Sequence, residues 1–178
     1  MPRKPAAPED LSAKKALALE VIARLKKEYP DAACTLDYDH AWQLLVSVRL
    51  AAQCTDARVN IVVEDLFAKY PSVAALAAAE PEEIEAIVKP CGLGHSKARD
   101  ISACMQMLRD KYDCKVPTTF EELLSLPGVG RKSANLIMGD VFGKPAIVTD
   151  THCNARKPEC EKCCLRDICR YAGENAAT

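Results

Sequence analysis

Residues 126–130 read LPGVG, and RKSAN follows at once. Pro127 stiffens this turn, while Gly128 and Gly130 let the backbone reach φ > 0 and approach a ligand closely. The segments on either side, FEELLSL and SANLIMG, read as short helices. The chain therefore doubles back here as a helix, a tight hairpin and a second helix. The second helix starts near Gly130, and its first N–H groups have no partner within the helix. They point outward and suit a phosphate oxygen.

Lys132 falls in the first turn of that second helix. The positive end of the helix dipole disfavours its ammonium form and makes the nucleophilic amine more accessible. Asp150 follows eighteen residues later, in TDTH. One short span thus offers a phosphate-binding turn, an amine nucleophile and a carboxylate partner. Each part also has a plainer reading. The hairpin alone marks a generic module for sequence-independent backbone binding. A lysine there commonly just meets phosphate, and an aspartate in an extended segment more often caps a helix or closes a turn.

The C-terminal cysteines add a second signal. Cys153, Cys160, Cys163 and Cys169 lie within seventeen residues, at spacing that suits an iron–sulfur centre. Zinc is the plainer alternative, although tetrahedral zinc sites usually present two close pairs and only Cys160 and Cys163 make a CxxC. Cys164 is read as a bystander. Cys34, Cys54, Cys91, Cys104 and Cys114 are scattered, and no signal peptide precedes them, which argues against a disulfide framework.

The rest of the chain is helical in character. It is 49% hydrophobic but only 5% aromatic, and Ala and Leu abound. No apolar run is long enough to cross a membrane. A net charge of −1 is weak for a nucleic-acid binder, but residues 131–170 carry eight Lys or Arg against five Asp or Glu. A local basic face fits that surplus, and so does an ordinary solvated surface.

Residues 1–11 read as a disordered, Pro-rich lead-in. A helix is expected over 12–29, with Leu17, Val21, Ile22 and Leu25 on one face and Pro30 as its stop. AWQLLVSVRLAAQ reads as a buried helix, with Asp39 as its candidate cap. Another helix starts at Thr55 or Asp56. Ser72 caps a short helix, Pro81 opens the next and Ser96 caps a longer one. Met105 and Met107 read as packing residues. Thr118 and Glu121 fit a capping box, and the helix after the hairpin runs to about Phe142, with Gly143 as its stop.

Together LAAQCTD (Leu50 to Asp56), CGLGHSKA (Cys91 to Ala98), LPGVGRKSAN, TDTH and the four-cysteine loop resemble the endonuclease III family of DNA repair glycosylases. The resemblance runs from about residue 12 to 171. It implies an all-α fold: a helical barrel lobe over 39–145 that contains the helix–hairpin–helix, and a second, truncated iron–sulfur cluster lobe. That lobe would combine an N-terminal helix (12–38) with the catalytic-Asp segment and cluster loop (146–178).

The resemblance also implies a function: removal of oxidised pyrimidines from duplex DNA, with cleavage at abasic sites by β-elimination through a lysine imine. In this reading Lys132 is the covalent nucleophile and Asp150 assists it. Cys153, Cys160, Cys163 and Cys169 hold a [4Fe–4S] cluster. Gln53 fills the gap left by a flipped base, and Leu93 wedges into the opposite strand. Leu126, Gly128, Val129, Gly130 and Arg131 hold the backbone, while Arg156, Lys157 and Lys162 reach towards phosphates. Family members often carry an aromatic residue where this chain has Gly94. A monomer without membrane contact is expected, cytoplasmic and, in a bacterium, associated with the nucleoid.

One departure stands out. In the family several helices separate the DTH segment from the first cluster cysteine, whereas here Cys153 follows His152 directly. Asp150 and Cys153 are three residues apart, so their Cα atoms lie within roughly 11 Å. Without rearrangement, one site keeps its family position and the other does not. Two further readings follow: a DNA-binding fragment of that family without catalysis, and a small iron–sulfur electron carrier, which would leave LPGVGRK unexplained.

Overall fold

The computed structural model describes residues 10–146, 159–170 and 172, and every regular element among them is helical. Asp150, His152, Cys153, Arg156 and Lys157 lie outside the described residues, as does most of the lead-in. The chain divides into two compact units. One is Cys34–Val148; the other joins Met1–Ala33 with Thr149–Thr178.

The Cys34–Val148 unit holds nearly all of the core. Its central helix, α2 (Ala41–Ala51), buries Trp42, Leu44, Leu45, Val46, Ser47 and Leu50, so it is covered on almost every side. A helix apolar all round belongs in the middle of a helical layer. Around it run α3 (Asp56–Lys69), α4 (Val73–Ala77), α5 (Pro81–Val88), α6 (Gly94–Lys111), α7 (Phe120–Ser125) and α8 (Arg131–Asp140). Helix α2 touches α3, α6 and α8, while α6 packs on α4 and α5. Trp42 meets Phe67 edge-on, with ring centroids 5.2 Å apart. Met105 is fully buried, and Met107 packs against the core from its margin.

Several helix starts follow from local chemistry. The Ser72 side chain accepts the Ala75 N–H and caps α4, and Pro81 opens α5 at a position that needs no N–H. Others correct the expectations. Asp39 does not cap α2: the Gln43 side chain reaches back, and its Oε1 accepts the N–H groups of both Asp39 and His40 at 2.8 Å. Thr119, not Thr118, starts α7. Its hydroxyl accepts the Glu122 N–H at 3.3 Å and donates to the Glu122 carboxylate at 2.6 Å. Both T-x-x-E registers are present in TTFEE, and the later one is used with Leu123 fully buried. Helix α8 ends at Asp140, two residues before Phe142, and Gly143 follows with φ +60°.

Ser96 is not a cap either. The chain enters α6 through Gly92 (φ +73°) and Leu93 (φ +51°), and the helix begins at Gly94. Two consecutive left-handed residues turn the backbone early, which leaves Ser96 inside the first turn. There its Oγ accepts a hydrogen bond from Arg49 at 3.3 Å.

In the other unit, α1 (Leu11–Glu28) is capped by Asp10, whose carboxylate accepts the N–H groups of Ser12 and Ala13. None of its residues is buried; Leu11, Leu17, Leu19 and Ile22 are exposed. Arg24 ties it to the C-terminal segment. Its guanidinium pairs with the Asp167 carboxylate and donates to the Cys164 carbonyl at 3.1 Å.

Candidate nucleic-acid interface and catalytic residues

The hairpin joins α7 to α8. Leu126 is buried, 2% exposed, and anchors its first arm; Val129 is half-buried and packs on the core. Gly128 has φ +74°, and a Cβ there would fall 2.9 Å from Asp100 Cβ and 3.0 Å from Arg49 Cδ. Only glycine fits both the dihedral and the gap. The hairpin is thus seated directly on the Arg49–Asp100 ion pair, whose nitrogen and oxygen stand 2.7 Å apart. The crevice between α2, α6 and the hairpin has room for about 10 Å³, roughly one water. It is a packing seam and too small for a nucleobase.

Gly130 does not reach the φ > 0 expected of it: it is the N-cap of α8 with extended backbone, and Gly128 alone makes the left-handed turn of the hairpin. Arg131 and Lys132 follow as the first two helical residues, and both are exposed. The orphan N–H groups of that turn and the Lys132 amine therefore share one end of one helix, open to an approaching phosphate or sugar.

Two further sequence candidates sit on neighbouring turns of the same unit. Gln53 lies between α2 and α3 and is exposed with φ +58°. Leu93 precedes α6, also left-handed and 59% exposed. Left-handed backbone is uncommon in residues other than glycine, and it carries a cost of about 1–2 kcal/mol. A large apolar side chain held out from such a turn is doubly unfavourable in the free protein.

Below these two turns lies a group that sequence reasoning missed. Lys97 is among the most buried side chains of the chain, at 0% exposure, and its Nζ donates to the carbonyls of Leu50 and Cys91 at 2.8 Å each. Leu50 is in the last turn of α2, where carbonyls lack helical partners. Burial pushes the Lys97 amine below its ordinary range, and the Cys91 and Cys54 thiols oppose that shift. Cys91 itself is pushed up to about 11, first by burial and then by the neighbouring Cys54. A signal for Lys97 was present: with Ile101, Met105 and Leu108 it stands on the buried stripe of α6.

In the smaller unit Cys160, Cys163 and Cys169 are half-buried. Among the described residues, no three His, Cys, Asp or Glu side chains converge into a group that could hold a metal ion. Thiolates are the right donors for an iron–sulfur centre, but the three described here are not gathered into one ligand set. Lys162 pairs with Glu159 at 3.2 Å on the surface.

Comparison with known proteins places this arrangement. Residues 46–155 match the family model for the HhH-GPD superfamily base excision DNA repair protein. Endonuclease III of Synechocystis sp. is 46% identical over 143 residues, covering 80% of this chain and 65% of the relative. That of Bacillus subtilis is 43% identical over 124 residues, covering 70% of this chain and 57% of the relative. The matched chain thus spans less than two thirds of either relative. Endonuclease III of Escherichia coli K12 aligns at 29% identity over 203 positions, covering 88% of this chain and 96% of the relative. Those positions outnumber the 178 residues here, so that relative carries internal residues without counterparts in this chain. Among solved structures, a non-covalent endonuclease III–DNA complex is 31% identical with a TM-score of 0.73, covering 97% of this chain and all of that one. A trapped endonuclease III–DNA covalent intermediate is 32% identical with a TM-score of 0.74. With residues 46–155 on the family model and relatives 46% and 43% identical, the chain belongs to the HhH-GPD superfamily of base excision DNA repair proteins, among the relatives of endonuclease III.

Proposed function

We propose that this chain is a bifunctional DNA glycosylase acting on duplex DNA that carries an oxidised pyrimidine or an abasic site. The observation that carries the reading is the exposed Lys132 in the first turn of α8, directly after a hairpin seated on the Arg49–Asp100 pair. The hairpin N–H groups and Arg131 hold a phosphate and fix the sugar near the amine. Flipping the damaged nucleotide costs a few kcal/mol, less at a lesion than at a sound pair. Gln53 and Leu93 offset part of that cost by filling the vacated space.

The Lys132 nitrogen, its proton passed to a base, then attacks C1′ of the sugar. A C–N bond forms to lysine, and the glycosidic C–N bond breaks, with its electron pair leaving on the base. The base is protonated as it departs. Asp150 stabilises the positive charge building on the sugar and relays protons. Ring opening leaves an imine between C1′ and Lys132. Loss of a C2′ proton expels the 3′ phosphate and cuts the strand. Sodium borohydride reduces such an imine to a stable amine, so the expected result is a covalent adduct with abasic duplex DNA that Lys132→Gln abolishes. Equal trapping by Lys132→Gln overturns the assignment.

Cys153, Cys160, Cys163 and Cys169 are proposed to hold a [4Fe–4S] cluster whose role is structural, fixing the loop that carries Lys162. Cys153 lies outside the described residues, and the thiol donors of the other three suit such a cluster. Protein prepared without oxygen should contain about four irons per chain. Cys160→Ala should lose them and Cys164→Ala should not; a colourless protein with one zinc contradicts this.

A second reading is favoured by one observation: the longer E. coli relative contains internal residues that this chain lacks. If they fall between His152 and Cys153, Asp150 loses the helix that would hold it, and a misplacement of about 1 Å costs on the order of a hundredfold in rate. The chain then binds abasic duplex DNA in a salt-dependent way and turns over slowly. Salt-dependent binding with no trapped adduct is the signature of this reading.

A further inference from the structure

The two turns that carry Gln53 and Leu93 come from different parts of the chain, one after α2 and one before α6. No hydrogen-bonded sheet holds them in register. Both are left-handed and exposed, so neither is fixed by its own side chain. What joins them is Lys97, whose single buried Nζ donates to Leu50 O, three residues before Gln53, and to Cys91 O, two residues before Leu93. The Cys54 and Cys91 thiols meet beside it, which brings the same two turns together again. A buried lysine is costly unless its donors are met, and here two of the three are met by main-chain carbonyls and not by a carboxylate. Carbonyls are what a clamp on backbone requires.

We propose that Lys97 is a positioning residue that sets the spacing between Gln53 and Leu93, so that both enter the duplex together at a lesion. The proposal rests on the reading above, in which those two side chains fill the opened helix. Lys97 touches neither DNA nor the reacting atoms; it acts through the carbonyls of Leu50 and Cys91. The consequence is specific. Loss of the clamp lets each turn relax separately, so the protein still meets phosphate through the hairpin but no longer fills the gap as a unit. Damage recognition falls, while contact with undamaged duplex is governed by other residues.

The test uses the full chain and two duplexes of the same sequence, one with a stable abasic analogue and one intact. The quantity measured is the dissociation constant of the intact duplex divided by that of the abasic one, together with the fluorescence of a 2-aminopurine placed opposite the lesion. Lys97→Met keeps the volume and removes the donors of both bonds. It should lower the ratio by about tenfold, the mild end of what lost placement costs, and give a smaller rise in fluorescence on opening. Leu93→Ala should do the same, and the double variant should lose little more than either single change, because both remove one cooperative act. A merely structural role for Lys97 weakens both duplexes alike and leaves the ratio unmoved, which overturns the proposal, as does additive loss in the double variant. Lys97→Gln retains donors on a shorter stem and guards against a folding failure; an intermediate ratio supports the clamp, and a ratio no better than that of a correctly folded Lys97→Met overturns it. If the unaltered chain gives no opening signal at the lesion, the underlying reading of Gln53 and Leu93 fails; if it gives one that Lys97→Met keeps in full, only the part assigned to Lys97 fails.

Discussion

Helices α1 and α6 are the same length, eighteen residues each, and their fates differ. Helix α6 buries seven side chains, among them Ile101, Met105 and Leu108. Helix α1 carries Leu17, Val21, Ile22 and Leu25 and buries none. Its pattern is amphipathic enough to define a helix, and Asp10 caps it. Periodicity sets which face seeks cover; the rest of the chain decides whether cover exists. For α6 the cover is α4 and α5 in the same unit. In the unit of α1, one tie is polar and runs from Arg24 to Asp167 and the Cys164 carbonyl.

The sharpest break of this comparison is a matched pair of truncations. Leu108→Ala in α6 should cost about 2–5 kcal/mol, because a fully buried side chain leaves a cavity that closes only in part. Leu17→Ala in α1 should change stability by less than about 0.5 kcal/mol, as at other exposed sites. Urea denaturation of both variants reads this directly, and similar losses would mean that α1 is packed after all.

Next in size is Gly128→Ala. The left-handed dihedral and the approach to Asp100 and Arg49 should together cost about 1–3 kcal/mol. The thermal midpoint should fall, and binding to any duplex should weaken because the hairpin is pushed off its seat. Unchanged melting would show that the Arg49 side chain yields freely.

The smallest effect concerns acid. The hydrogen bond from Arg24 holds the Asp167 carboxyl below its usual range. Its contribution is therefore fully present above about pH 4, the ordinary aspartate value, and is lost as pH falls through the depressed folded value. The pair lies on the surface, so the change should be slight. Helical circular dichroism followed from neutral to acid pH should show a small early loss that Asp167→Asn no longer shows. An identical acid profile for the variant would remove this tie from the account of α1.

How far the chain could be read in advance depends on the residue. Ser72 and Pro81 act through local backbone chemistry, and local chemistry is written in the sequence. The hairpin at Leu126–Gly130 was readable for the same reason. TTFEE offered two equal capping registers, and only the packing around Leu123 separates them. For Lys97 only its place on the buried stripe of α6 was legible; its partners are main-chain carbonyls 47 and 6 residues away, which leave no mark in composition. The left-handed turn at Leu93 was hidden because its neighbours Gly92 and Gly94 were the evident candidates for unusual dihedrals. In the smaller unit, Asp150 and Cys153 lie outside the described residues, so the sequence still carries that part of the reading alone.

Leu93 also has a consequence for anyone who would improve this protein. Its left-handed backbone and exposed side chain make Leu93→Gly a gain in the folded state: the dihedral relaxes, and an apolar surface disappears, against the entropy that glycine adds to the unfolded chain. A selection for heat tolerance or solubility would therefore drift towards glycine here. Under the proposed reading, the same drift would blunt the tool that opens the duplex. Thermostable descendants of this chain would look healthier in every assay except the one that contains damaged DNA.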